Sequence, residues 1–268
     1  MIQAEYGFIG CGNMGGAIAR VLCKTVDPKR VLLSNRTPAK AEALAKELGC
    51  QAGDNLQAAQ CAYIFLGVKP HLMADMLGAI RTTLAARAEP PVLVSMAAGL
   101  TIAQIQEMAG QDYPVIRIMP NTPVAVGQGA VLYKASANAT QEMVNGFLGL
   151  MSKAGKLFPI DESLMDVGAA VSGCGPAYAY LVLDAMADGG VACGLPRPDA
   201  VRYAAQTLLG AVQMVLETGK HPDQLKNEVC SPGGSTIQGV RTLEQHGVRA
   251  AVMDAVIAAC EKNAALGK

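Results

Sequence analysis

Along residues 1–160, short apolar runs alternate with segments of helical spacing. Tyr6-Gly7-Phe8-Ile9, Val31-Leu32-Leu33, Ala62 to Leu66, Val92-Leu93-Val94-Ser95 and Val115-Ile116-Arg117-Ile118 read as strands, each a brief, nearly continuous apolar run. Between them, 17–23, 38–48, 72–86 and 101–108 show the i, i+3, i+4 recurrence of helices, with Pro38 where a first helical turn accepts it. Strand and helix in alternation predict a Rossmann-type, doubly wound α/β domain over 1–160, a parallel sheet with helices on both faces.

After Pro159 the texture changes. From Asp161 onward the chain has no β-branched strand run, only long Ala/Leu/Met/Val patterns at 3.6-residue spacing over 177–193, 199–218 and 248–266. An all-helical domain over 161–268 follows. Its helices are apolar nearly all round, more than so small a bundle can bury internally, so a homodimer through this half is expected, with further assembly left open. The uncharged stretch Val167–Leu183 carries Pro176 and three glycines and falls short of the ~20 apolar residues of a membrane span.

Composition narrows the function classes. Hydrophobic residues at 51% and charged ones at 16% exclude a disordered chain. Lys plus Arg and Asp plus Glu balance at 22 each, so no global field draws nucleic acid or a membrane surface, and any anion site must be local. Aromatics at 4% and no Trp argue against base-stacking platforms. Eight cysteines without a CxxC pair and three scattered histidines (His71, His221, His246) encode no metal site, and the thiols read as small buried apolar groups. Met1 to Glu5 leads almost directly into a strand without the features of a signal peptide, so a reduced, cytoplasmic setting is expected.

The chemistry begins at Gly10-Cys11-Gly12-Asn13-Met14-Gly15, which follows the first strand and opens a helix. There Gly10 serves the tight turn, Gly12 lets backbone approach a pyrophosphate, and Gly15 permits close helix packing. An NAD site usually ends its second strand in Asp or Glu; this chain offers Ser34-Asn35-Arg36-Thr37. Arg36 suits a 2′-phosphate, with Asn35 and Thr37 as hydrogen-bond donors, so NADP(H) is expected over NAD(H). Gly67-Val68-Lys69-Pro70, Ser95-Met96-Ala97-Ala98-Gly99 and Met119-Pro120-Asn121-Thr122-Pro123 fall at carboxyl ends of later strands, where open sheets bind ligands. Lys69 is either catalytic or an electrostatic neighbour of the cofactor.

The helical half carries Cys230-Ser231-Pro232-Gly233-Gly234-Ser235-Thr236, a polar glycine-rich turn entering a helix. It reads either as a backbone nest for a carboxylate, with the Thr236 hydroxyl inside it, or as an interhelical turn with a Ser or Thr cap. Between Leu157 and Gly219 there is no lysine or histidine. Oxidation of a hydroxy acid would need a general base there. Reduction of a protonated imine needs only hydrogen bonding at nitrogen, which Thr236 can supply.

Taken with Gly173-Cys174-Gly175-Pro176-Ala177-Tyr178 and Arg117-Ile118-Met119-Pro120-Asn121-Thr122-Pro123, these motifs resemble the pyrroline-5-carboxylate reductase family over essentially the whole chain. The resemblance implies hydride transfer from NAD(P)H to the C5 imine carbon of 1-pyrroline-5-carboxylate, giving L-proline. It implies cofactor contacts from Ile9, Gly10, Cys11, Gly12, Asn13 and Met14, from Asn35, Arg36, Thr37 and Asn55, and from the three later loops. It implies carboxylate binding by Ser231, Gly233, Gly234 and Ser235, with Thr236 at the ring nitrogen and as the catalytic residue. Asn227-Glu228 departs from the Asp-Asn common in relatives, which leaves Glu228 without a role. The alternatives are a β-hydroxyacid dehydrogenase, disfavoured by the missing lysine, a pyridoxal-phosphate carrier, for which no suitable lysine is found, and a non-catalytic NADPH-sensing protein, which leaves the Ser231–Thr236 turn unexplained.

Overall fold

The computed structural model describes residues 4–266; Met1–Gln3, part of the segment read as lacking a signal peptide, lie outside the described residues. Contacts divide the chain into two compact units, one running up to Cys174 and resuming at Ala259, the other Gly175–Ala258.

The first unit alternates β1 (Tyr6–Ile9), α1 (Asn13–Leu22), β2 (Val31–Ser34), α2 (Pro38–Leu48), β3 (Gln51–Ala52), α3 (Asn55–Ala58), β4 (Tyr63–Leu66), α4 (Met73–Ala85), β5 (Val92–Ser95), α5 (Ile102–Ala109) and β6 (Val115–Met119). It continues through β7 (Gly129–Ala135), α6 (Gln141–Leu150), β8 (Gly155–Pro159) and α7 (Met165–Ser172). The sheet order is β3-β2-β1-β4-β5-β6-β7-β8. Strand order reverses between β1 and β4, the switch point where doubly wound sheets open a crevice. The register aligns Ile9 with Ser34 and Leu66, and Leu66 with Ser95, so the loops starting at Gly10, Asn35, Gly67 and Met96 leave the sheet side by side.

The sheet departs from the expected all-parallel form at one place: β7 runs antiparallel to β6. Its physical reason is the short connection over 120–128, since a parallel return needs a crossover of about a dozen residues or more. The sequence pattern did not mark β7, α6 or β8. Gly146 and Gly149 interrupt the helical pattern of α6, and β8 is a half-exposed edge strand ending in Pro159, without the run of buried residues that betrays a central strand.

Two apolar layers sandwich the sheet. Phe8 and Phe65 stack on one side with centroids 4.6 Å apart, inside a cluster with Ile18, Leu22 and Phe147. Ile64, Leu66, Leu77 and Ile80 fill the other. Composition places the boundary of the halves at 160/161, whereas the compact unit extends to Cys174. Helix α7 is the reason: Met165, Ala169 and Ala170 are buried, Gly168 lies against Leu132 and Ile160, and Arg117 of β6 pairs with Glu162 and Asp166. The tail of the last helix also returns here, where Asn263 donates to the Asp166 carbonyl.

The second unit is helical: α8 (Gly175–Ala192), α9 (Arg197–Thr218), α10 (Pro222–Val229), α11 (Ser235–Gln245) and α12 (Val248–Leu266), whose last turns belong to the first unit. Its buried cluster is Ala187, Ala200 and Ala204, with Leu183 and Val191 packed against it. No helix among the described residues is long and apolar enough to cross a membrane.

Candidate active site

The glycine turn after β1 is built by mutual contact of glycines. Gly10 has φ +99°, and a Cβ there would sit 2.7 Å from the Gly67 carbonyl carbon. A Cβ on Gly15 would lie 2.1 Å from the Gly10 carbonyl oxygen, and one on Gly67 2.3 Å from the same oxygen. Backbone of β1, α1 and the β4 loop therefore touch without side chains between them. Gly12, by contrast, has nothing within 4 Å of its Cβ position. It is also the N-cap of α1, and no side chain caps that helix. An uncapped helix start facing open space fits the diphosphate of a dinucleotide.

Beside this turn lies an open cleft of about 420 Å³ lined in part by Ser34, Asn35, Arg36, Gly53, Asp54 and Asn55. Asn35 Oδ1 accepts from the Cys11 N–H at 3.1 Å, and Asn35 Nδ2 donates to the Thr37 carbonyl, so one amide ties the glycine turn to the β2 loop. Ser34 Oγ donates to Asn55 Oδ1 at 2.6 Å, which fixes the opposite wall. Arg36 is exposed and makes no hydrogen bond or ion pair among the described residues, so its guanidinium is open to an incoming anion. Lys69 is exposed in an extended conformation imposed by Pro70, and Met96 and Ala98 are half-buried beside buried Ala97.

In the helical unit, Gly233 takes φ +71° and Gly234 is the N-cap of α11 with no side-chain cap. Any side chain at Gly234 would strike Ser231 Oγ at 2.4 Å. The Ser/Thr-capped alternative is thereby set aside: α3, α5 and α6 are capped by Asp54, Thr101 and Thr140, whereas α11, like α1, begins on a glycine. Ser235 and Thr236 are the first two residues of α11, both exposed.

Comparison with known proteins agrees with both halves. Residues 162–266 match the family described as pyrroline-5-carboxylate reductase dimerisation, and residues 5–99 the family described as NADP oxidoreductase coenzyme F420-dependent. The chain is 40% identical to pyrroline-5-carboxylate reductase of Escherichia coli K12 over 271 residues, covering 100% of each chain. It is 40% identical to that of Pisum sativum over 262 residues, covering 96% of this chain and 94% of the relative. The chain belongs to the pyrroline-5-carboxylate reductase family. Among solved structures, the Plasmodium falciparum pyrroline carboxylate reductase with NADP bound superposes with a TM-score of 0.89 at 32% identity, covering 100% of each chain.

Several of the expected site residues are also tied into the surrounding structure. The Ile9 side chain is 1% exposed in the core, and its carbonyl accepts from the Gly67 N–H. Cys11 spends its N–H on Asn35 and its thiol on the Ser34 carbonyl, and burial pushes that thiol up to about 12. It is a rivet of the turn. The Asn121 side-chain amide donates to the Ser172 carbonyl and accepts from the Ala130 N–H, which fixes the β6–β7 loop. Glu228, unassigned by the family pattern, accepts from Lys220 at 2.8 Å and from Gln224, and the Lys220 ammonium holds its carboxyl below the ordinary value.

Gly53 and Asp54 line the cleft without having been among the expected site residues, while Gly67, which opens the expected loop after β4, meets the Gly10 backbone. Gly67 had a readable signal, a glycine closing a buried strand; Asp54 had none, because its place depends on the β2–β3 pairing that brings residue 53 to the Leu33 carbonyl.

Proposed function

We propose that this chain is an NADP(H)-dependent pyrroline-5-carboxylate reductase that reduces the C5=N bond of 1-pyrroline-5-carboxylate to give L-proline, the last step of proline biosynthesis. The observation that carries the reading is the pair of helix starts left bare by glycine, Gly12 at α1 and Gly234 at α11. Both are suited to anions, one to a diphosphate and one to a carboxylate.

Gly10, Gly12, Asn13 and Met14 hold the diphosphate through backbone. Arg36 meets the 2′-phosphate, with Asn35, Thr37 and Asn55 around the ribose. Val68, Lys69, Pro70, Met96, Ala97 and Ala98 border the nicotinamide end. Bound NADPH supplies the hydride. Ser231, Gly233, Gly234 and Ser235 hold the substrate carboxylate by hydrogen bonds, and Thr236 directs its hydroxyl to the ring nitrogen. The positive charge of the protonated imine makes its carbon electrophilic without a general base, which accords with the absence of Lys and His over 157–219. Residues 161–268 serve as the substrate-binding and dimerisation domain, and the enzyme works as a cytoplasmic homodimer. The exposed apolar residues of its helices support that assembly, Leu181, Leu209 and Leu216 being 71%, 61% and 74% exposed.

The test follows NADPH absorbance with purified protein and racemic pyrroline-5-carboxylate. Substrate-dependent oxidation is expected; none above background overturns the reading. Thr236→Val should keep NADPH affinity while losing about tenfold or more in kcat, in the range of one positioned hydrogen-bonding group, and an unchanged kcat removes Thr236 from the chemistry.

A further inference from the structure

The end of β2 lacks the carboxylate that marks NAD sites, yet the folded chain returns one to the same cleft. Asp54 lines it together with Asn35, Arg36 and Asn55. Its position is fixed by the capping box of α3: Asp54 Oδ1 accepts from Gln57 N–H at 2.8 Å, and Gln57 Oε1 accepts from Asp54 N–H at 3.0 Å. The carboxylate is therefore anchored at the wall rather than free to swing away from an arriving anion. No ion pair joins it to Arg36 or to any other described cation, so both charges stand in the cleft unneutralised by each other. A ribose 2′-phosphate entering there meets one positive group, the exposed Arg36 guanidinium, and one anchored negative group, the Asp54 carboxylate. A ribose 2′-hydroxyl meets the same carboxylate as a hydrogen-bond acceptor.

We propose that Asp54 is a specificity-determining residue for the cofactor: its carboxylate opposes the 2′-phosphate that Arg36 attracts and so narrows the preference for NADP(H) over NAD(H). This rests on the reading of the cleft as the ribose-phosphate end of the cofactor site. Any repulsion of the shared diphosphate is common to both cofactors and cancels in the preference, so the difference comes from the 2′-phosphate. It is a surface effect and is screened by salt.

The experiment measures binding by titration calorimetry with adenosine 2′,5′-bisphosphate and with 5′-AMP, for the native protein, Asp54→Asn, Asp54→Ser and Arg36→Ala. Both Asp54 variants keep an oxygen able to cap α3, so the wall stays in place. Each should bind the bisphosphate about threefold more tightly at low salt, the scale of one screened surface charge acting on a phosphate, with 5′-AMP affinity unchanged or weaker. The gain should shrink at high salt, and the NADPH to NADH ratio of kcat/KM should rise by the same factor. If Arg36→Ala weakens the bisphosphate while both Asp54 variants leave it unchanged, or move both nucleotides equally, the role of Asp54 is overturned and the phosphate site stands. If Arg36→Ala does not weaken the bisphosphate relative to 5′-AMP, the underlying reading of the cleft fails, and the proposal with it.

Discussion

The two units have similar proportions of apolar residues and use them in opposite ways. In the sheet unit Phe8, Phe65, Ile18, Leu33, Ile64 and Leu77 are all 0% exposed, because a two-sided sheet with helices on each face closes over its own core. In the helical unit the buried cluster is three alanines, while large residues such as Tyr180, Leu209, Met253 and Ile257 stand more than half exposed. High hydrophobic content therefore has two meanings in one chain. Where the topology brings layers to both faces, it builds an internal core. Where long helices have no opposing layer in their own unit, it builds a surface suited to a second copy.

Charge pairs offer the strongest way to break this comparison. Arg117 is 2% exposed and bridges Glu162 and Asp166, whereas Arg249 pairs with Glu244 and Asp223 on an exposed face. Arg117→Met should cost about 2–4 kcal/mol in denaturant unfolding, since Glu162 and Asp166 lose their buried partner but keep some access to water. Arg249→Met should cost less than about 1 kcal/mol. Equal losses would mean that the two units do not differ in the way their burial indicates.

The next effect concerns assembly. Leu209→Glu places a charge on the exposed apolar face of α9 and should weaken self-association by about 1.5–3 kcal/mol, the value of burying one leucine. Sedimentation at falling protein concentration would show this as dissociation at higher concentration than the native protein. Leu56→Glu, an equally apolar exposed position in the sheet unit at 50% exposure, should leave the association state unchanged.

The smallest effect is acid sensitivity of the helical unit. Hydrogen bonding from Lys226, Lys220 and Arg249 holds the carboxyls of Asp223, Glu228 and Glu244 below their ordinary values of 3.8 and 4.5. Carboxyls lowered in the folded state contribute stability that is present above those ordinary values and lost as pH falls through the lowered ones. Helix content by circular dichroism should therefore become easier to melt below about pH 4.5, weakly, and less so in high salt, because all three groups are on the surface.

Much of this was readable in the residues themselves. Pro38–Leu48 and Val248–Leu266 fall where their periodicity puts them, and Gly10, Gly12 and Gly15 take the turn, the open approach and the close packing that their spacing implies. Local chemistry is enough for such features, since a helix face or a glycine turn is set by residues a few positions apart. The elements from β7 to β8 were not readable, because a short antiparallel return and an edge strand carry little local signal.

By itself, the sequence determined the alternation of the first half, the helical second half, the glycine turn that opens α1, and the absence of lysine and histidine between Leu157 and Gly219. Only the tertiary structure decided what those pieces face. It turned the Asn121 amide and the Cys11 thiol into internal ties, attached α7 to the sheet through Arg117, and returned Asp54 to a cleft whose neighbouring strand end holds no acid. The physical reason is range: turns and helices depend on contacts within one or two turns of chain, while hydrogen-bond partners, burial and the charge of a cleft depend on strand pairing between residues tens of positions apart.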